Sequence, residues 1–573
     1  MSLKAGLEIH QQLDCGKLFC KCDLLDAGKD SIFTRRLHAT SSEMGNIDAA
    51  AQAEGIRKFT YFNKSCKCLV YADEEPPRGP NGKAVEIALQ FAKLVNANII
   101  EEIHFMRKIV VDGSNTSGFQ RTALVATGGK IEYSDGLIEL DQICLEEDSC
   151  RHGEKEDEYL LDRLGIPLLE ITTKPQLKTP EQVQGAARAL GRLLRACRVK
   201  RGLGTIRQDV NISIDGGERV ELKGFQDLST MAKVVKNEME RQLNLKALKG
   251  CKASDVKNVT KYISKNRGIA LACKLPGWKN NLGTKNSPRG HIRMGRELAD
   301  YAKKAGVKGL MHSDELPAYE ISPEETEEIH RHLDCNENDA FILIFGNQSM
   351  AEDAMERVIK RVNVDGVPKE VRRVTPEGNT RFLRPMPGAA RMYPETDIPP
   401  MTLNEINVDI PKTLDEREKV LPLNDEESKQ IVSRNLDKEF YNLKKHYDNP
   451  KIISRLLLHT LPNLKDNGNI IIDETAILKV INLLKQGKIA KEGIETALVQ
   501  ISKGEKVELK NENIESEVEE FIDILIKEKN KFVKERGMEA IGPLMGPVMS
   551  EFRGKMDGAK INELLVRKIK EII

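Results

Sequence analysis

The sequence lacks the features of a membrane or secreted protein. None of its apolar runs approaches the roughly 20 residues that a membrane-spanning helix needs, and its opening stretch, MSLKAGLEIH, has no apolar signal-peptide core. We therefore expect a cytoplasmic protein with no membrane partner. In that compartment its eleven cysteines should be reduced, and closely spaced pairs are more readily metal ligands than disulfides.

The sequence also lacks a charge imbalance. It contains 89 Lys and Arg residues against 88 Asp and Glu residues, which gives a formal net charge of +1. Such a chain is unsuited to coating nucleic acid over its whole surface, although a local basic surface remains compatible with it.

No repeat of fixed period is present, which argues against a solenoid, and a length of 573 residues predicts several domains. Short β-rich runs alternate with Gly-rich turns and helical stretches in the first half, whereas the chain after about 410 has apolar residues at helical spacing. Between them, GRELADYAKKAGVKGLMHSDEL and DAFILIFGN predict a separate α/β module. We expect an α+β protein with a mixed domain (1–270), an inserted α/β module (271–385), a Pro-rich return to the first domain (386–412), a helical domain (413–504) and a helical tail (505–573).

Acidic residues in apolar surroundings indicate a possible catalytic site. Glu170 stands alone in the apolar run 166–171, where a charge is costly unless it is paired or bound to a metal. Glu8 and His10 lie two apart in the predicted strand GLEIH and so share one of its faces. With the acidic run 146–148 they could hold Mg²⁺ beside a phosphate-bearing substrate. A buried ion pair explains Glu170 equally well, a solvated turn explains 146–148 taken alone, and the imidazole of His10 suits Zn²⁺, Mn²⁺ or Fe²⁺ better than Mg²⁺.

Two Cys-Lys-Cys segments predict a structural metal site. Cys20 and Cys22 form the first pair, and Cys66 and Cys68 form the second. Four thiolates can bind Zn²⁺ tetrahedrally, although the usual spacing within a pair is two to four residues. The alternative is four free cysteines in two strands.

The loop DGSNTSGFQRT, residues 112–122, is rich in glycine and hydroxyl groups. Gly113 and Gly118 have the spacing of a P-loop, but Phe119 and Gln120 replace its Lys-Ser/Thr pair, so the loop is not a Walker A motif. It could hold a polar or phosphate-bearing substrate, and an ordinary surface loop is equally consistent with the pattern.

A basic stripe follows on a predicted helix. Arg188, Arg192 and Arg195 recur at intervals of four and three residues in ARALGRLLRACRVKRG, opposite an apolar face. A solvated helix face is the usual explanation, and contact with a phosphate backbone is the alternative.

Polar residues then alternate along two predicted strands. Asp209 and Asn211 lie on one side of RQDVNISI, and Glu221 and Lys223 lie on one side of VELK. A polar face on a strand suggests a solvent-filled pocket.

Taken together, these segments resemble a known family. The order of eight segments is similar to that in the B/E family of glutamyl-tRNA(Gln) amidotransferase subunits: GLEIHQQL, LFCKC, DEEPP, LEEDSCR, GIPLLEI, RQDVNIS, ELKGFQDLS and YPETDIPP. The loop DGSNTSGFQRT and the inserted module resemble the archaeal-type branch, and the module is similar to one in bacterial-type aspartyl-tRNA synthetases. The resemblance implies a cradle-shaped catalytic domain built on an antiparallel sheet, with all-helical domains at the C-terminus and a tRNA-binding tail.

The resemblance also implies a reaction. ATP would phosphorylate the γ-carboxylate of glutamate carried on tRNA(Gln), and ammonia would then replace the phosphate. A partner amidohydrolase, the D-type chain of the enzyme, would supply that ammonia in a heterotetramer of two D and two E chains, since no amidase nucleophile set is recognisable in this chain. No segment identifies the residues that contact ATP.

By the same resemblance, His10, Glu147 and Glu170 would hold Mg²⁺. Glu8 and Glu146 would be neighbouring groups or ligands of a second, transient ion.

Other residues match motif positions near the substrate and the ammonia path, namely Asp209, Asn211 and Lys223. Candidates for contact with the substrate or the tRNA are Arg107, Ser114, Ser117, Arg121, the helix arginines Arg188, Arg192 and Arg195, and Lys531, Lys534 and Arg553 of the tail. Two rival functions remain: a non-catalytic tRNA-binding or editing protein, and a metal-dependent hydrolase.

Overall fold

The computed structural model describes residues 3–22, 31–41, 45–48, 51, 57–63, 68–225, 227–246, 248–265, 267–283, 293–388, 391–393, 397–468, 472–507, 514–552 and 556–572. These residues form two units, Met1–Pro411 and Lys412–Ile573. The first unit combines sheets with helices and the second is helical, so the expected α+β class is confirmed. No helix among the described residues combines the length and apolar character needed to cross a membrane.

The strands among the described residues all lie in the first unit. In chain order they are Leu3–Gln12 (β1), Ser31–Leu37 (β2), Arg57–Asn63 (β3), Asn98–Ile99 (β4), Glu102–Ile103 (β5), Met106–Ile109 (β6), Phe119–Thr127 (β7), Lys130–Tyr133 (β8), Gly136–Glu147 (β9), Arg151–His152 (β10), Glu158–Leu160 (β11), Pro167–Thr173 (β12), Ile206–Ile214 (β13), Val220–Lys223 (β14), Lys257–Asn258 (β15), Ile269–Leu275 (β16), Met311–His312 (β17), Ala340–Gly346 (β18), Glu370–Val374 (β19), Thr380–Pro385 (β20), Met392–Tyr393 (β21) and Met401–Thr402 (β22).

The helices divide between the two units. Those of the first unit are Gly82–Leu94 (α1), Pro180–Leu194 (α2), Met231–Lys246 (α3), Met294–Lys303 (α4), Pro323–His332 (α5) and Gln348–Val362 (α6). Those of the second unit are Leu414–Lys419 (α7), Asp425–Ser433 (α8), Asp437–His446 (α9), Pro450–Arg455 (α10), Leu461–Gly468 (α11), Glu474–Lys485 (α12), Ile494–Ser502 (α13), Ile514–Glu528 (α14), Asn530–Arg536 (α15), Ile541–Phe552 (α16) and Gly558–Lys570 (α17).

The largest sheet places the N-terminal strand at its centre. Its order is β20-β19-β14-β13-β1-β12-β9-β7-β6-β21, with β4 and β8 attached to β7 and β9. The pairings are antiparallel except for β14 with β19, which run parallel. Strand β1 is therefore covered on both edges, by β12 and β13, and its polar side chains have neighbours on two sides.

One face of this sheet is closed by a helix. Residues 3, 5, 7 and 9 of β1 are buried apolar side chains, and the amide of Gln208 on β13 donates to the Ala187 carbonyl of α2 at 3.3 Å. Gln208 is the register partner of Ile9, so α2 packs on the face of Ile9. Thr179 caps its first turn and Pro180 begins it. The opposite face of β1 carries Gly6, Glu8 and His10.

A second, smaller sheet follows α3. Strands β15, β16, β18 and β17 form it in that order, and helices α4 to α6 lie between its strands in the chain or directly after them. The chain then returns to the main sheet at β19. The predicted module 271–385 differs from this arrangement at both ends, because β15 and β16 begin at Lys257 and Ile269 while β19 and β20 belong to the main sheet. Within the segment 386–412, β21 pairs with β6 of the main sheet.

A buried ionic network joins α3, α4 and β19. The guanidinium of Arg372 bonds Glu297 at 2.9 Å and Glu370 at 2.6 Å, while Arg241 contacts Glu238, Glu297 and Glu370 at 3.0–3.2 Å. All five side chains are at least nine-tenths buried. Because α4 lies in the chain between β16 and β17, this network ties the smaller sheet's segment to the main sheet.

The candidate active site and the thiol cluster

The charged face of the main sheet, opposite α2, gathers ionisable side chains in register. His10 pairs with Glu170 on β12 and with Arg207 on β13. Glu8 pairs with Asp209 on β13. Directly opposed residues in antiparallel strands point to the same face, so side chains from three strands meet there.

The centre of this face is a group of three potential ligands. The ligand atoms of His10, Glu146 and Glu170 all lie within 4.8 Å of one another. The Nε2 atom of His10 is 3.4 Å from Glu146 Oε1 and 3.7 Å from Glu170 Oε2. Glu146 reaches this face because it opposes Leu168, two residues from Glu170 along β12.

A lysine that the sequence analysis did not single out completes this centre. The ammonium of Lys108 on β6 is 2.6 Å from Glu146 Oε2 and 2.9 Å from Glu170 Oε2. It lies beside the apolar stretch of the run RKIVVDGS, and a buried lysine must find an anion. This rule predicts that Lys108 has an acidic partner. It does not identify the partners, which lie 38 and 62 residues further along the chain.

The pKa values differ sharply between the two carboxyl groups. Burial raises the pKa of Glu146 to about 7, against the opposing charge of Lys108. Burial would also raise the pKa of Glu170, but Lys108 and His10 outweigh it and hold that pKa well below its usual range. Glu170 therefore binds a proton less readily than Glu146 does.

A second group of charges continues the same face. Asp209 accepts from the Lys223 ammonium at 2.6 Å, and Glu221 forms an ion pair with the same ammonium. Glu8 is 3.7 Å from His10 Nε2, and Glu8, His10 and Asp209 form another group of possible ligands. Asn211 opposes Glu221 across β13 and β14. Seven of the predicted site residues thus lie on one face: Glu8, His10, Glu146, Glu170, Asp209, Asn211 and Lys223.

Glu147 lies apart from this group. It follows Glu146 along a strand, so its side chain points to the opposite face. Its Oε1 atom accepts from the backbone N–H of Arg121 at 3.0 Å and lies 3.4 Å from the guanidinium of that residue. The structure therefore brings Glu146, and not Glu147, together with His10 and Glu170.

Arg107 and Arg121 also lie on that other face. Asp397 accepts from the Nε atom of Arg121 at 2.9 Å and forms an ion pair with Arg107. Both guanidinium groups therefore already have carboxylate partners. In the nearby loop, Ser114 donates to Asp112 at 2.6 Å and Ser117 donates to the Phe119 carbonyl at 3.0 Å, so both hydroxyls stabilise the loop itself.

The predicted basic helix stripe lies away from the charged face. Arg188 and Arg195 are exposed and Arg192 is partly buried. The helix that carries Arg188 and Arg192 packs on the opposite side of the sheet, and Arg195 caps its end. In the C-terminal unit Lys531 and Lys534 lie on α15, while the predicted Arg553 lies outside the described residues.

Three of the predicted metal-binding cysteines come together. The sulfur atoms of Cys20, Cys22 and Cys68 lie within 4.8 Å of one another, and Cys66 is outside the described residues. A hydrogen bond from Cys20 lowers the pKa of the Cys68 thiol to about 5. A thiolate is the form that binds metal, so this donor set fits Zn²⁺.

The side chains on the charged face fit a divalent cation. The carboxyl groups of Glu8, Glu146, Glu170, Asp209 and Glu221 lie on this face with the ammonium groups of Lys108 and Lys223 and the guanidinium of Arg207, so acidic groups outnumber these three cations. Among the described residues the buried atoms Glu146 Oε1 and His10 Nδ1 have no hydrogen-bond partner. Carboxylate oxygens are preferred by Mg²⁺, and the imidazole makes the set suitable for Mn²⁺ as well.

Comparison with known proteins covers almost the whole chain. The family model described as the GatB/GatE catalytic domain matches residues 3–409, and the one described as the GatB domain matches residues 438–569. Three archaeal relatives are each named as the E subunit of glutamyl-tRNA(Gln) amidotransferase. Their identities are 43% in Methanocaldococcus jannaschii, 42% in Thermococcus gammatolerans and 41% in Archaeoglobus fulgidus, over 100% of this chain and 98–99% of each relative.

Proposed function

Because this chain belongs to the GatB/GatE family, we propose that it catalyses the ATP-dependent conversion of Glu-tRNA(Gln) to Gln-tRNA(Gln). The enzyme would be a ligase that forms a carbon–nitrogen bond with an amide as the nitrogen source. The observation that carries the proposal is the charged face around His10, Glu146 and Glu170, which lies within the region matched by the catalytic-domain model. The names of the full-length relatives supply the substrate.

The proposed reaction has two steps. An oxygen of the glutamate γ-carboxylate attacks the γ-phosphorus of ATP, the bond to the β-phosphate oxygen breaks, and ADP leaves with the electron pair. Ammonia then attacks the γ-carbon of the acyl phosphate. Inorganic phosphate leaves with the carbon–oxygen bonding pair, and the nitrogen loses a proton to yield the amide.

The first step needs positioning and charge neutralisation more than it needs a nucleophile from the protein. We assign His10, Glu146 and Glu170 to hold Mg²⁺, which would neutralise charge on the transferred phosphoryl group. This assignment replaces the predicted Glu147 with Glu146, since Glu147 is engaged by Arg121 on the other face. Glu8 and Asp209, which form a second group of candidate ligands with His10, would bind a second cation.

The lysines have separate roles in this proposal. Lys108 would hold Glu146 and Glu170 close together, because its ammonium contacts both carboxylates. Lys223 orients Asp209 and Glu221 at the side of the face. Asn211, beside them on β13, offers an amide to the substrate or to ammonia.

Ammonia would come from a partner. We propose a D-type amidohydrolase as that partner, in a heterotetramer of two D and two E chains. The family assignment supports a multi-subunit enzyme, since the relatives are named as subunits.

The finer architecture belongs to the same proposal. The main sheet with its charged face would be the floor of a cradle, and the segment between β14 and β19 would be an inserted domain similar to one in aspartyl-tRNA synthetases. The C-terminal unit would bind tRNA, with Lys531 and Lys534 as exposed cations available for backbone contact. Arg107 and Arg121 instead shape the catalytic domain, because Asp397 and Glu147 neutralise them.

Amide formation with free ammonia tests the function without the partner. We expect this chain, given ATP, Mg²⁺ and ammonium chloride, to convert Glu-tRNA(Gln) to Gln-tRNA(Gln), and to hydrolyse ATP at an appreciable rate only when the charged tRNA is present. Omitting ATP should abolish the product. Binding of Glu-tRNA(Gln) without any amide, at ammonium concentrations up to tens of millimolar, would favour the non-catalytic tRNA-binding alternative. ATP-independent release of glutamate would favour a hydrolase.

The thiol cluster is proposed as a structural Zn²⁺ site. We expect one Zn²⁺ per chain in protein purified without added zinc, measured by mass spectrometry of the metal. Replacing Cys20 by serine should remove most of the zinc and lower the melting temperature before it affects catalysis, because closed zinc sites contribute to folding. Cys335→Ser is the matched control, since Cys335 is partly buried and outside the cluster. Less than a tenth of an equivalent of Zn²⁺ per chain, together with freely reactive cysteine thiols, would contradict the proposed zinc site.

A further inference from the structure

Arg207 lies at the border of the charged face, and the proposed assignment of ligands gives it no role. It is the register partner of His10 on β13, so the two side chains lie next to each other on the same face. The guanidinium therefore lies beside the proposed metal ligands.

One carboxylate anchors this guanidinium. Asp148 has no exposed surface, and its Oδ1 atom is 2.9 Å from Arg207 Nη2. The other oxygen of Asp148 accepts from the amide of Gln12 at 2.6 Å and lies 3.1 Å from Arg163 Nε. Asp148 thus connects β1, β13 and the loop after β9, and it fixes the direction in which Arg207 points.

Anchoring leaves part of the guanidinium unused. Arg207 Nη1 is buried and has no hydrogen-bond partner among the described residues, while 35% of the side chain is exposed. A buried donor of a charged group is costly to leave unpaired. The side chain therefore extends from the interior of the charged face to solvent and retains N–H groups that no described protein atom accepts.

Phosphoryl transfer needs cationic donors of this kind. Negative charge spreads over the oxygens of the transferred group, and the planar guanidinium fork matches phosphate oxygens better than an ammonium does. Lys108 and Lys223 are each bound to two carboxylates. Arg207 is engaged at one nitrogen and unpaired at another, which suits it to an incoming anion.

We propose that Arg207 is a further catalytic residue, which contacts the transferred γ-phosphoryl group, and that Asp148 is the residue that positions it. This inference rests on the proposed function. In the phosphorylation step Arg207 forms and breaks no covalent bond. It donates hydrogen bonds to the phosphoryl oxygens as the bond to ADP breaks and the bond to the γ-carboxylate forms.

Chemical rescue separates this role from a structural one. The Arg207→Ala variant should phosphorylate Glu-tRNA(Gln) at least about 100-fold more slowly, which is the usual cost of losing one donor to a developing charge. The KM for the charged tRNA should stay within about threefold, because the contact acts on the transition state. Guanidinium chloride at tens of millimolar, below denaturing concentrations, should raise the phosphorylation rate of Arg207→Ala at least tenfold. The Arg207→Lys variant should recover only a small part of the rate.

Two further variants provide controls. Arg163→Ala removes the other guanidinium on Asp148, and any loss of rate there should not respond to guanidinium. Asp148→Asn keeps the shape of the anchor but removes its charge, and it should lower kcat while leaving the KM for tRNA nearly unchanged.

The outcomes distinguish this inference from the function on which it rests. If the unaltered protein forms the acyl phosphate and folded Arg207→Ala is equally active, or is impaired without any guanidinium rescue, Arg207 is not catalytic and only this inference fails. If the unaltered protein forms no acyl phosphate, the proposed function fails as well. A circular dichroism melt of each variant verifies that it is folded.

Discussion

The Glu170→Gln variant is expected to lose almost all phosphate transfer to tRNA-bound glutamate, by roughly 10³-fold or more, while it still binds the charged tRNA. Glutamine keeps the size of the side chain but removes the charge that contacts Lys108 and faces His10. Metal ligation contributes several kcal/mol of charge stabilisation in the transition state, and each 1.36 kcal/mol corresponds to about a tenfold change in rate. His10→Ala should show the same pattern, because it removes another proposed ligand.

A matched control is available on the same sheet. Glu139 lies near the start of β9, at the opposite end of the strand from Glu146, and its carboxylate forms a surface ion pair with Lys174, so Glu139→Gln should retain near-normal activity. The rate would be measured with saturating ATP and Mg²⁺, and binding of Glu-tRNA(Gln) would be measured separately by filter retention. Wild-type rates for both Glu170→Gln and His10→Ala would contradict the assignment of this face as the catalytic site.

The Arg372→Ala variant is expected to lose about 3–5 kcal/mol of unfolding free energy, as buried ion pairs do when one partner is removed. Arg372 is 1% exposed, and its loss leaves Glu297 and Glu370 with Arg241 as their remaining guanidinium partner in this network. Trp278, the single tryptophan, is buried beside the smaller sheet. Its fluorescence during urea unfolding reports directly on the segment that the network holds.

The same network predicts a pH dependence with a defined sign. Burial would raise the pKa of Glu297, but Arg372 and Arg241 outweigh it and lower that pKa from 4.5 to about 2. A lowered pKa stabilises the folded state above pH 4.5, and this contribution is lost as the pH falls towards 2. The Arg372→Ala variant should therefore lose less unfolding free energy between about pH 5 and pH 2 than the unaltered protein does.

Arg373 supplies the control for this prediction. It follows Arg372 on β19 but is exposed, so Arg373→Ala should change the unfolding free energy by less than about 0.5 kcal/mol. Equal stability of Arg372→Ala and Arg373→Ala would show that the network does not hold the two sheets' segments together.

Much of the candidate site can be predicted from the sequence. The alternation of side chains along a strand predicts that Glu8 and His10 share a face, and the isolated charge of Glu170 in an apolar run indicates a partner. The motifs identified the family, and this assignment is confirmed by the comparisons.

The remaining features depend on strand register, which the sequence does not reveal. Glu146 and Glu147 are adjacent, and only the pairing of β9 with β12 determines which of them faces Glu170. The roles proposed for Lys108 and Arg207 depend on partners from other segments of the chain. In the sequence Arg372 likewise has no feature that sets it apart from other strand residues. Its partner Glu297 lies on α4, 75 positions earlier in the chain.

The most direct test of the proposed function is transfer of label from ATP labelled with ³²P in the γ-phosphate. With this chain, Mg²⁺ and Glu-tRNA(Gln), and without any ammonia source, acid quenching within seconds should trap ³²P on the esterified glutamate. Adding ammonium chloride should release that label as inorganic phosphate while Gln-tRNA(Gln) forms. The account is contradicted if Gln-tRNA(Gln) forms without transient label on the glutamate, or if label is transferred equally well by the Glu170→Gln variant.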